Sequence, residues 1–181
     1  GTNGVASSLI AYNGGQTAVR ASNMVAWHSP VVGGFKVMVG SYMGENASTA
    51  AKAGNGNGIY LNYAQGPLSV GYSSAKTTTG AGTEVKTTNF GASYDLGVAK
   101  IMAVYSQDQD STSGVDADKV KGTLIGLTAP LGAGVAKAAW SNSKQGATVD
   151  TDKFAVGYVY NLSKRTMIMA QGGTASNSTA T

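Results

Sequence analysis

The chain has 181 residues, with 26 Gly, one His, no Cys, 12% charged residues and a formal net charge of +4. No Cys and a single His exclude a Cys/His zinc centre, a haem thiolate and a disulfide framework. No apolar stretch approaches the roughly 18 residues of a membrane-spanning helix, the glycine content opposes helices, and the Lys and Arg residues are scattered rather than gathered into a nucleic-acid patch.

Period-2 alternation of apolar with small or polar residues, the mark of a strand with one apolar face, is the dominant signal. It predicts strands over 23–29, 35–43, 58–64, 68–74, 87–94, 98–107, 119–129, 135–142, 153–160 and 166–171. No window carries capped helical spacing, so no long helix is predicted. Tight turns fall at 30–34, 65–67, 95–97, 130–134 and 161–165. Longer polar stretches lie between them at 44–57, 76–86, 108–118 and 144–152, and a fifth runs from Gly172 to Thr181. Short and long connections thus alternate, as in an antiparallel transmembrane β-barrel with turns at one rim and loops at the other. A soluble sandwich has no reason to keep its long loops at one end.

The apolar set of each strand is assigned to lipid: Val25 and Trp27; Phe35, Val37 and Val39; Ile59, Leu61 and Tyr63; Leu68, Val70 and Tyr72; Phe90, Ala92 and Tyr94; Ala99, Ile101, Ala103 and Tyr105; Ile125 and Leu127; Ala136, Ala138 and Trp140; Phe154, Val156, Tyr158 and Tyr160. Trp27, Phe35, Tyr63, Tyr94 and Tyr160 flank short turns, where an aromatic girdle would meet the interface. Lys36, Lys100 and Lys137 follow short turns on the opposite parity. Facing lipid at mid-membrane, each would cost about 2–4 kcal/mol, and facing water very little. A basic belt inside the barrel near the turn-side mouth is therefore expected. Lys119, Lys121 and Tyr42 break the parity, and 166–171 does not decide its own faces.

The residues from Arg20 through Asn23 and Trp27 to Ser29-Pro30, followed by Gly33-Gly34-Phe35, resemble the segment after the constriction loop of Gram-negative general diffusion porins. Tyr94-Asp95-Leu96-Gly97 and the run from Tyr160 to Thr166 resemble later periplasmic turns of the beta-proteobacterial branch. The resemblance covers essentially the whole chain. It implies an all-β transmembrane barrel, sixteen-stranded in the full protein, of which this chain supplies about ten strands. Residues 1–181 would then be one incomplete barrel domain lacking its N-terminal strands and closing strand, with the last external loop beginning at Gly172. A chain that starts at Gly1 without a leader pattern is expected to be a processed product or a fragment.

The function so implied is passive diffusion of small hydrophilic solutes and ions through the outer membrane of a Gram-negative bacterium. Arg20 aligns with a constriction arginine. Together with Lys36, Lys100 and Lys137 it would focus a positive field in a narrow lumen, giving anion preference. The implied partners are a homotrimer, outer-membrane lipid and lipopolysaccharide, with no nucleic acid, cofactor or metal. The lone His28 offers no Ser-His-Asp set, since Ser29 points to the opposite face, so no enzyme is expected. The run from Asp108 to Gly114 starts like a calcium loop, but its Gly falls one position late and Lys119 replaces the bidentate Glu. The rival reading is a β-rich surface adhesin whose Ser/Thr/Asn loops bind partners.

Overall fold

The computed structural model describes residues 23–44, 54–80, 83–112, 114–116, 119–146 and 149–179. Eleven strands and no helix appear among them: β1 (Met24–His28), β2 (Phe35–Tyr42), β3 (Gly56–Gln65), β4 (Leu68–Gly80), β5 (Thr83–Asp95), β6 (Lys100–Thr112), β7 (Val115–Asp116), β8 (Val120–Leu131), β9 (Gly134–Gln145), β10 (Val149–Asn161) and β11 (Met167–Thr179). Each strand pairs antiparallel with the next, except that β6 pairs with β8 and the two-residue β7 hangs on the end of β6. β1 and β11 are the edges of the sheet and do not pair with each other. All ten expected strands are present, in order.

Turn chemistry fixes one rim. The Ser29 hydroxyl accepts a hydrogen bond from the Val37 amide at 2.8 Å. Gly66, at φ +56°, and Pro67 join β3 to β4. The Asp95 carboxylate accepts from the Gly97 amide at 2.8 Å, with Gly97 at φ +82°. Gly34 combines a positive φ with a close approach at this rim. It sits at φ +85°, and a Cβ there would lie 2.9 Å from the Ala64 carbonyl oxygen. Gly33, at φ +57°, has open space around the same position. Gly34→Ala is therefore expected to cost about 1–3 kcal/mol, more than Gly33→Ala. The denaturant midpoints of the two variants refolded into lipid check this, and equal midpoints contradict it.

The opposite rim departs from the sequence expectation. The stretches 76–86 and 144–152 are largely strand, because β4 runs to Gly80, β5 starts at Thr83, β9 runs to Gln145 and β10 starts at Val149. β11 likewise continues to Thr179 where an external loop was expected from Gly172. The strict alternation of short and long connections thus does not hold, although the β2–β3 connection remains long. The physical reason is that apolar alternation reports only where one face leaves water. Ladder hydrogen bonds continue between polar residues once two strands are already aligned.

No hydrophobic residue is buried among the described residues. Most of the large apolar side chains of the strands instead lie exposed on one face, with Met24, Met167 and Met169 exposed on the other. Register places Trp27 beside Val39 and Val39 beside Ile59. Tyr72 lies beside Phe90 and Phe90 beside Tyr105. Ile125 lies beside Trp140 and Trp140 beside Phe154. The expected lipid-facing residues of the strands share this face. Ile168 and Ala170 join it opposite Tyr160 and Tyr158, which decides the faces of β11. The three buried polar residues, Thr77, Ser106 and Ser141, all lie on the other face. The polar face is therefore the sheltered, concave one and the apolar face the open, convex one. A sheet of this size with its apolar face outward is stable only where that face meets hydrocarbon.

Candidate functional site

The candidate site is the inward face, built by every second residue of β1–β6 and β8–β11. Asn62 and Asn89 brace it: the Asn62 amide donates to the Val70 carbonyl at 3.0 Å, and the Asn89 amide donates to the Ser73 hydroxyl at 3.2 Å. Gly71 and Gly91 stand directly opposite each other, and the Tyr60 ring lies against Gly71. His28 faces inward, beside Met38. Tyr42, the parity exception of β2, lies on the same face and hydrogen-bonds the Thr77 hydroxyl.

The expected lysines fall on this face, in two hydrogen-bonded rows. Lys100 pairs with Thr128, and Thr128 with Lys137, so the two lysines share one row with a single strand between them. Two strand spacings put their Cα atoms about 10 Å apart. Lys36 belongs to a different row. That row runs from Lys36 through Asn62, Gly71, Gly91, Val104, Leu124 and Ser141 to Lys153. Lys153 is thus an inward lysine that sequence reading missed, although its alternation with Phe154 held the signal. Arg20 lies outside the described residues.

Asp95 stands across from Lys100 at the turn end, and Asp108 and Asp110 point inward at the loop end of β6. One Asp108 carboxylate oxygen is buried with no hydrogen-bond partner. Along the strands, Lys36, Lys100, Lys137 and Asp95 lie near the turns, Lys153 further along, and Asp108 and Asp110 toward the loops. Neither Lys100 nor Lys137 is ion-paired among the described residues. The segment that began like a calcium loop is strand through Thr112, with Asp108 and Asp110 on the inward face and Gln109 on the outward one.

The outward face carries the interfacial chemistry. Phe35 and Tyr63 pack with ring centroids 4.6 Å apart. The Tyr63 hydroxyl donates to Gln65 Oε1 and the Tyr158 hydroxyl to the Leu131 carbonyl, both at 2.7 Å. These hydroxyls find polar partners at the turn rim, as interfacial tyrosines do. Trp27, Phe35, Tyr94 and Tyr160 stay exposed beside them. Lys121 is outward, in register with Gln107 and Lys144.

An antiparallel sheet with an apolar convex face, aromatic edges and a polar concave face defines a wall of a transmembrane β-barrel. The family model described as Gram-negative porin matches residues 1–180, and the chain belongs to that family of the outer membrane. It is 32% identical over 158 residues to outer membrane porin protein 32 of Delftia acidovorans, covering 83% of this chain and 45% of that protein. It is 29% identical over 205 residues to an outer membrane porin protein of Bordetella pertussis, covering 88% of this chain and 53% of that protein. The chain therefore spans about half the length of these relatives. Among solved structures, an anion-selective porin from Comamonas acidovorans superposes with a TM-score of 0.76 at 32% identity, over 87% of this chain and 49% of that one. A Salmonella typhi OmpF shares the fold at 12% identity, with a TM-score of 0.58 over 86% of this chain and 61% of that one.

Proposed function

We propose that this chain is a run of wall in a single water-filled barrel domain, closed by strands before and after it, that lets small hydrophilic solutes and ions cross the outer membrane passively. The observation that carries the reading is the pairing of an outward face bearing most of the exposed large apolar side chains with an inward face bearing the buried polar residues and four lysines, on one sheet. That arrangement serves a conduit better than an adhesin, whose apolar residues would be buried, and the porin names of the relatives support it over an enzyme. Anion preference is part of the proposal. Lys36, Lys100, Lys137 and Lys153 line the inward face, Arg20 is expected to join them at the constriction, and a solved relative is named anion-selective. A homotrimer follows from the family resemblance.

Recording from the purified protein in planar bilayers tests the channel. Stepwise conductance with a reversal potential on the anion side is expected. Absence of steps, with solubility in the absence of detergent, would overturn the reading in favour of an adhesin.

A further inference from the structure

Met102, Val104 and Leu124 all point inward, near the middle of the sheet. Val104 stands directly opposite Leu124, and Met102 directly opposite Gly126. A Cβ on Gly126 would lie 3.6 Å from the Met102 methyl carbon and 3.9 Å from a Leu124 methyl carbon. Gly126 is itself buried and has no side chain to hold those two methyls apart. The three side chains therefore make one contiguous apolar patch, and each is only half-buried. In a water-filled lumen such a patch costs free energy until another apolar surface covers it.

The charge around the patch is mostly positive. Lys100 lies two residues before Met102 on the same face, about 7 Å along the strand. Lys137 is the diagonal neighbour of Gly126, about 7–8 Å away. Their row holds one carboxylate, Asp95, directly opposite Lys100. Asp95 accepts from the Gly97 amide and is not ion-paired with Lys100. The rows of Met102 and of Val104 hold no carboxylate among the described residues, and the second of them carries Lys36 and Lys153. Asp108, the next inward acid of β6, is four residues beyond Val104, about 13 Å along the strand.

We propose that Met102, Val104 and Leu124, with Lys100 and Lys137, form a binding patch on the channel wall for amphipathic monocarboxylates. A short aliphatic or aromatic body lies on the three apolar side chains, and its carboxylate faces the two lysines. The inference rests on the channel reading and deepens its anion preference from charge alone to charge plus apolar area. Chloride or acetate meets the lysines but leaves the patch in water. A neutral alkanol covers the patch but offers nothing to the ammonium groups. The chain ahead of β1, residues 1–22, contains no Asp or Glu, so it has no side-chain carboxylate for these lysines. A small carboxylate with an apolar body supplies both parts.

The full-length protein in a planar bilayer, at fixed chloride, can be exposed in turn to sodium hexanoate, sodium acetate and 1-hexanol. Excess noise on the open-channel current reads how long each solute dwells on the wall. Hexanoate is expected to raise the noise at about fivefold lower concentration than acetate, because its extra methylenes lie on the patch. Hexanol is expected to need more than hexanoate does. Met102→Ser/Leu124→Ser is expected to bring hexanoate to the level of acetate, and Lys100→Gln/Lys137→Gln to weaken both anions. Equal responses to hexanoate and acetate in the wild type would overturn the patch, and that comparison requires no variant to fold. Hexanol acting as strongly as hexanoate would overturn it too, since the lysines would then play no part. A Ser variant that loses stability in lipid yet keeps the wild-type response to hexanoate would mean that the protein itself covers these side chains, which again overturns the patch. Absent conductance steps would overturn the channel reading and the patch with it, whereas intact steps without preference for hexanoate overturn the patch alone.

Discussion

Ala92→Arg is expected to destabilise the folded protein in lipid by about 2–4 kcal/mol, because it puts a guanidinium in the middle of the hydrocarbon. Ala92 lies outward between Val70 and Ala103, with Phe90 and Tyr94 on either side along β5. Ser93→Arg, one residue along, points the same group inward between Ser69 and Met102. There it meets water and is expected to change stability by no more than about 0.5 kcal/mol. The two variants carry the same added group and the same net charge. Their difference isolates which face meets lipid. Denaturant titration of both, refolded into vesicles and scored by heat-modifiable gel mobility, measures it. Equal losses would mean that the apolar face does not lie in hydrocarbon.

Much of this wall was legible in the sequence because period-2 alternation couples directly to which face leaves water. Residues such as Phe90, Ala92 and Tyr94 declare their strand, its parity and its solvent in one pattern. The tight turns were legible for a different reason, since Gly34, Gly66 and Gly97 adopt positive φ at low cost. The loop-side ends were not legible. From Ser74 to Lys86, and from Asn142 to Asp152, both faces are largely polar, so the alternation vanishes although the ladder continues. Lys153 was missed at such an edge, where it follows three polar residues. The outward lysines were visible only as parity exceptions, Lys119 and Lys121. Cross-strand register was needed to see that Lys121 faces Lys144 and that Lys76 faces Lys86. The separation of Lys36 from the row of Lys100 and Lys137 is also a register fact. A fixed offset from a turn gives the face, but it does not give the row across a tilted sheet.

Reversing two inward charges is expected to change selectivity more than any other substitution in the described wall. Lys100 and Lys137 share a row with one strand between them, so a permeating ion passing that row feels both at once. A unit charge about 8 Å away contributes about 0.5 kcal/mol in water, and about 0.2 kcal/mol after screening at physiological salt. The double variant Lys100→Glu/Lys137→Glu changes the row by four charge units. That is about 0.8 kcal/mol for either ion, of opposite sign for anion and cation. The anion-to-cation permeability ratio is therefore expected to fall about tenfold. The shift should fade near 1 M salt, where the screening length is about 3 Å. A change in channel width would not fade in that way, so the salt dependence separates electrostatics from geometry. Reversal potentials under a salt gradient, taken at low and high ionic strength, measure both. An unchanged low-salt potential would mean that Lys100 and Lys137 do not face the permeation path. A shift that persists undiminished at high salt would mean that they act by shaping the wall, and not through their charge.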